Sequence, residues 1–109
     1  MVKRRPVVVI APRAGTQKPL YIVVPFSTVA PLDIKRFHIR LPAGKYWFLN
    51  RMIDTWPKCD TLTSVAHTRL DRMFVNGRWI TPTLSDGDFR AIQSGVLHAL
   101  GLSRLTAQL

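Results

Sequence analysis

Arg4-Arg5-Pro6 runs directly into the apolar stretch Val7-Val8-Val9-Ile10, and a second apolar stretch, Ile22-Val23-Val24-Pro25-Phe26, ends on Ser27-Thr28. A guanidinium at the start of one strand and two hydroxyls at the end of the next are groups suited to a phosphodiester. Arg5 offers paired N–H donors and keeps its charge at neutral pH, so it can hold both a phosphate and the more crowded phosphorane formed from it. Ser27 and Thr28 can hydrogen-bond a phosphate oxygen or the leaving oxygen. RNA carries its own nucleophile in the 2′-OH. A chain that cuts it need only position the backbone, help remove that proton and stabilise the phosphorane. The plainer readings are a strand-edge cation and a turn of the kind Ser and Thr favour anyway.

A general base is not obvious. His38 is a candidate by its ordinary pKa and falls beside Arg36 and Arg40, although a solvated strand histidine explains it as well. His67 lies in an expected turn, and His98 lies near the end of an expected helix, where its charge suits the dipole. Lys58 and Asp60 alternate on a short segment, which fits either a shared pocket or a structural ion pair. Trp47, Trp56 and Trp79 can stack on bases or serve as core and dimer contacts, and the run around Arg78-Trp79 mixes aromatic and basic character in a way compatible with a single strand.

The net charge of +10 is unevenly placed: residues 1 to 19 hold Lys3, Arg4, Arg5, Arg13 and Lys18 and no acid. With Arg36, His38, Arg40 and Lys58, the residues Arg4, Arg13 and Lys18 are the expected RNA-binding set, because several phosphates are neutralised at once. A solubilising surface is the alternative. The single cysteine, Cys59, forbids an internal disulfide, gives no basis for a thiolate metal cluster, and reads as a small buried apolar side chain in a reducing cytoplasm. No apolar run approaches the roughly 20 residues needed to span a bilayer, and the start is too short for a secretion signal, so a soluble protein is expected.

The 109 residues suffice for one core and one domain, expected over 1–102 with a loose tail over 103–109. Val7 to Ala11 reads as a central strand buried on both faces, followed by a polar turn over Arg13 to Pro19 and an antiparallel partner over Leu20 to Phe26. Arg36 to Leu41 alternates, with Phe37, Ile39 and Leu41 inward and a basic outer face. Residues 42–57 fit a strand, a short helix or a packed loop. Lys58 to Leu62 reads as a strand and Ser64 to Thr68 as a turn. Met73-Phe74-Val75 and Arg78-Trp79-Ile80, joined by Asn76-Gly77, predict a hairpin, since Asn-Gly accepts the positive φ angles of a two-residue turn. Ser85 caps the last element, a helix with Asp88 as the reciprocal acid of a capping box, an apolar stripe of Phe89, Ile92, Val96 and Leu100, and Gly101 as its stop. Short antiparallel strands with one terminal helix give a mainly β fold, either a partly closed barrel or an open sheet with a helix on one face.

The residues resemble the PemK/MazF-type toxins of type II toxin–antitoxin systems. The resemblance rests on Arg5-Pro6-Val7-Val8-Val9-Ile10, Val24-Pro25-Phe26-Ser27-Thr28, Trp56-Pro57-Lys58-Cys59-Asp60, Val65 through Arg69-Leu70-Asp71, and the terminal Leu84-Ser85 to Leu102. It implies a small SH3-like barrel acting as a homodimer, which cleaves single-stranded RNA without a metal or cofactor and is silenced by a small antitoxin. By the charge of this chain, that antitoxin should be acidic and apolar. Arg5 matches the arginine of the family's Arg-Pro motif, and Ser27 or Thr28 its active hydroxyl. Spacing favours Ser27, though the family more often has threonine there. Family members usually have a strand and a loop before the Arg-Pro motif, and measured against them this sequence is expected to lack both and its barrel to be incomplete at the N-terminus, whether through a start site assigned too late, a genuinely shortened and inactive copy, or an edge covered by a partner chain. Two other readings accompany the nuclease: an inactive barrel that binds RNA or antitoxin, and a poison of a DNA topoisomerase.

Overall fold

A computed structural model describes residues 5–13 and 20–109. The expected turn after Arg13 and the candidate residues Arg4 and Lys18 lie outside the described residues, as do the side chains of Arg13 and His67.

The β-branched run at the start pairs as its pattern suggests. Strand β1 (Val7–Arg13) is antiparallel to β2 (Leu20–Ser27), with Val7 opposite Pro25 and Val9 opposite Val23. The register shifts between Val9 and Ala11, so Ile10 is an extra residue that bends the strand. β2 is the centre of the sheet. β1 lies along one edge of it, and β4 (Thr63–Ala66) and β3 (Trp56–Pro57) share the other, β4 beside Leu20 to Val23 and β3 beside Phe26 and Ser27.

Three expectations are corrected here. β1 is an edge strand among the described residues, not a central one, and Val9 is 39% exposed. Thr63 to Ala66 is a strand where a turn was expected from Ser64 onward, and Lys58 to Leu62 is not a strand: Lys58 makes one bridge and a turn follows, closed by Thr61 N–H to Lys58 O at 2.9 Å. The polar Thr63 and Ser64 concealed β4, because its exposed half needs no apolar side chains.

Arg36 to Leu41 is also not a continuous strand. It touches the sheet by two isolated bridges, His38 with Lys58 and Leu41 with Thr55. Its alternation nevertheless orients it as expected: Leu41 is buried, and Phe37 and Ile39 pack against the core. Residues 42–54 form turns rather than a strand or helix.

The hairpin of β5 (Met73–Val75) and β6 (Arg78–Ile80) turns on Asn76 and Gly77, with φ of 49° and 77°. It forms its own two-stranded sheet. With β1 at an edge and the hairpin separate, the described strands do not close into a barrel; the fold is mainly β with a C-terminal helix, as expected.

Helix α1 (Asp86–Ala99) covers one face of the sheet. Its Ile92 and Val96 pack with Val24, Phe26 and Cys59 in the buried cluster, and Val8 and Ile10 of β1 join from the side. Burying one such side chain is worth about 1.5–3 kcal/mol, so this layer carries much of the stability. Leu100, expected on the buried stripe, is exposed. Gly101, at φ 76°, ends the helix: its N–H reaches His98 O at 3.1 Å and Leu102 N–H reaches Leu97 O at 2.8 Å, a Schellman pair that satisfies the last carbonyls. The expected loose tail is instead a 3₁₀ helix, Ser103–Gln108, packed against α1 and tied to it by His98 Nδ1 and Ser103 Oγ at 2.7 Å.

Candidate active site

The site is built by strand register. Phe26 N–H donates to Pro6 O at 3.2 Å, which carries the Val7–Pro25 pairing one residue further. Extended by one further residue, past the end of β1, the same register leads to Arg5 and Ser27. On the other side of β2, Ser27 pairs with Trp56 and Phe26 with Pro57, and Lys58 N–H donates to Pro25 O at 2.8 Å.

Directly opposed residues of antiparallel strands share a face, and adjacent strands lie about 4.8 Å apart. Ser27 and Trp56 therefore form one row across the sheet, which by extension of the β1–β2 register leads to Arg5, and Val7, Pro25 and Lys58 form the next. The bridge to His38 extends the second row. The Leu41–Thr55 bridge keeps the same register and sets Arg40 opposite Trp56. Phe26 and Pro57, which alternate with Ser27 and Trp56, are buried, so the row carrying Ser27 faces away from the helix-covered core. Arg5, Arg40 and Lys58 are exposed, and Ser27 and His38 are half-buried.

Ser27 is fixed by the turn it starts. Its Oγ accepts from Val29 N–H at 3.1 Å, which leaves the hydroxyl proton free to be donated outward. Thr28 lies one residue past the end of β2 and is exposed.

His38 is oriented by Lys35, whose backbone N–H donates to His38 Nδ1 at 2.8 Å. A backbone amide can only donate, so Nδ1 is the acceptor and the proton of the neutral ring sits on Nε2. In this arrangement His38 offers a donor rather than the free lone pair that a general base requires. The Phe37 ring stands 4.4 Å from it, centroid to centroid.

The remaining candidates lie further out. Arg40 pairs with Asp54 at 3.6 Å, an exposed contact of small energetic weight. Arg36 is exposed in the turn before His38. The backbone of Arg13 is at the other end of β1, opposite Leu20, roughly 26 Å from Arg5 at about 3.3 Å per residue. Asp60 is exposed in the turn after β3 and accepts from Thr61 Oγ1 at 3.5 Å. Cys59 is 2% exposed, and burial pushes its thiol up to about 11, so it is a neutral core side chain at physiological pH.

Sequence reasoning missed the company Arg5 keeps. A cleft of about 330 Å³ is lined by Arg5, Val7, Phe48, Leu70, Asp71 and Arg72 among others, at the lower end of the size range of small-molecule sites. The signal was present as a lone acid inside the basic run Arg69-Leu70-Asp71-Arg72. Chemically, the face offers fixed positive charge from Arg5 and Lys58, neutral donors from Ser27 and His38, and a carboxylate near Arg5.

Among the described residues no helix is long and apolar enough to cross a membrane. No curated protein matches the chain at a significant level. A sequence profile described as PemK-like, MazF-like toxin of type II toxin–antitoxin system matches residues 1–100. That span takes in β1 and β2, the bridged segment of His38 and Lys58, and the helix that backs them, and it places the chain in the PemK/MazF-like family of type II toxins.

Proposed function

We propose that the chain is an endoribonuclease toxin that cuts single-stranded RNA by attack of the 2′-OH on the adjacent phosphate, without a metal. Members of this family are generally endoribonucleases. The observation that supports the reading for this chain is the β1–β2 register, which extended by one pair past Pro6 and Phe26 brings Arg5 level with Ser27, with Lys58 in the neighbouring row. Arg5 grips the scissile phosphate bidentately and stabilises the charge that grows on it. Ser27 donates its hydroxyl proton to a phosphate oxygen, and Thr28 is the alternative hydroxyl. Lys58, His38 through Nε2–H, and the outlying Arg36 and Arg40 hold neighbouring phosphates, as Arg4, Arg13 and Lys18 do if they border the same strand of RNA.

The +10 net charge also supports an antitoxin with an acidic, apolar segment that covers Arg5, and both partners act in the cytoplasm. A homodimer is part of the same reading.

Incubation with single-stranded RNA and a chelator tests it. The expected products end in a 2′,3′-cyclic phosphate and a 5′-OH, and R5A loses cleavage by about 100-fold or more, the scale of one removed transition-state donor. Intact RNA after incubation with the folded wild-type chain would overturn it.

A further inference from the structure

We propose that Trp79 is a base-stacking platform, on which one unpaired nucleobase of the bound strand lies beside Arg72, in a cleft that shares Leu70, Asp71 and Arg72 with the cleft of Arg5. The inference rests on the RNA-directed reading above and adds a specificity-determining subsite to it.

Two clefts of about 330 and 400 Å³ share Leu70, Asp71 and Arg72. The first contains Arg5, and the second, which is open to solvent, contains Trp79. Both are bordered by residues 70–72, so Arg5 and Trp79 flank one common segment of the chain.

The hairpin alternates as a strand pair must. Met73, Val75 and Ile80 are half-buried, while Phe74 and Trp79, opposite each other in the register, are 59% and 55% exposed. Their rings meet at 4.9 Å between centroids and 47° between planes. The contact fixes the plane of Trp79 and lowers the ordering cost of a ligand that stacks on it.

The charge around this pair selects the occupant. Arg69, Arg72 and Arg78 are all exposed, and Arg72 lines the same cleft as Trp79. An apolar protein surface laid on the pair would have to desolvate guanidinium groups. A nucleotide instead gives the ring a π-face and the arginine a phosphate or a base plane. Stacking at a fixed offset from Arg5 positions the strand without touching the reacting atoms, so it acts on binding rather than on the chemical step.

The test uses a short 2′-O-methylated RNA, which has no free 2′-OH to attack and reports binding alone. W79A is expected to weaken binding roughly 5- to 100-fold, the range of one lost base stack, with W79F restoring most of it. The salt dependence of W79A stays that of the wild type, because a stack releases no counterions, whereas R72Q lowers the slope by about one. Oligonucleotides with one abasic position identify the stacked base from the RNA side: the wild type loses affinity at a single position, and W79A is indifferent there.

If W79A binds as tightly as the wild type while R5A abolishes cleavage, the stacking inference fails and the nuclease reading stands. If the wild type neither binds nor cuts RNA, the nuclease reading fails first. A change in the mass of W79A by light scattering, without an abasic position that the variant ignores, would assign Trp79 to a protein contact and overturn the proposal.

Discussion

The hydroxyl of Tyr46, not the carboxylate of Asp88, accepts the backbone N–H of Ser85, at 3.0 Å. Half of the expected capping box is present, since Ser85 Oγ accepts from Asp88 N–H at 3.2 Å. The other half is replaced: Asp88 accepts from Tyr46 and pairs with Lys45 at 2.8 Å. A tyrosine 39 residues earlier thus ties the turns over 42–54 to the start of α1.

Y46F removes an acceptor and a donor at once while keeping the ring. Ser85 is exposed, so water can take up its N–H, and the net loss should be about 1–2 kcal/mol. Urea denaturation is the measurement. A loss of about 4 kcal/mol or more, or none, would mean that this link does not act as a local hydrogen-bonded tie.

Asp88 should set an acid limb in the stability profile. Burial pushes its carboxyl upward, but hydrogen bonds from Lys45 and Tyr46 outweigh this and hold it below its ordinary value of 3.8. A depressed folded pKa contributes stability above the unfolded value and loses it as pH falls through the folded one. The melting temperature of the wild type should therefore fall more steeply than that of D88N as pH descends below about 4. Lys45 has the opposite sign: its hydrogen bond with Asp88 raises it above 10.5, so its contribution persists at neutral pH and fades only in stronger alkali.

Gly95 is the point of closest approach between helix and sheet. A Cβ there would lie 2.7 Å from Cys59 Sγ and 3.1 Å from Phe37 O, and Cys59 is buried and cannot swing away. G95A should gain about 1 kcal/mol of helix propensity and lose about 1–3 kcal/mol to overpacking, for a net destabilisation. Because the sulfur is the nearest atom, C59A should relieve part of the cost, and a double-mutant cycle should give a favourable coupling between the two sites. Simple additivity would contradict the packing account.

Local chemistry made the hairpin and the helix legible in the sequence: Asn76-Gly77 dictates its turn, and Ser85 and Gly101 dictate where α1 starts and stops. The inward set Phe37, Ile39 and Leu41 was legible too, but the strand was not, because alternation fixes which side chains face inward and says nothing of how many backbone bonds form. β4 was hidden for a related reason. It earns its place by pairing with Leu20 to Val23, a nonlocal fact that Thr63 and Ser64 do not advertise. The antiparallel pairing of β1 with β2 was foreseeable from two apolar runs joined by a polar turn, whereas the approach of residues 70–72 to Arg5 depends on tertiary folding.

The buried thiol gives a further check. Burial raises Cys59 to about 11, and the thiolate is the reactive form. Alkylation by iodoacetamide at neutral pH should be slow in the folded protein and become fast in denaturant. Rapid labelling under native conditions would show that α1 opens away from β3 far more readily than its packing indicates.

The two adjacent hydroxyls separate by geometry. Ser27 is the last residue of β2, comes level with Arg5 when the β1–β2 register is extended, and is oriented by the bond its Oγ accepts from Val29 N–H. Thr28 is past the strand end and exposed. A hydroxyl acts on a growing charge only if it is held in place before the charge appears, and Ser27 meets that condition. S27A should therefore lower kcat by about 10-fold to 100-fold with little change in KM, while T28A should alter KM alone or nothing. Ser27→Thr keeps the donor and should retain most of the activity. If T28A carries the kcat loss and S27A does not, the phosphate lies beyond the end of β2, and the row joining Arg5 to Ser27 is not the catalytic one.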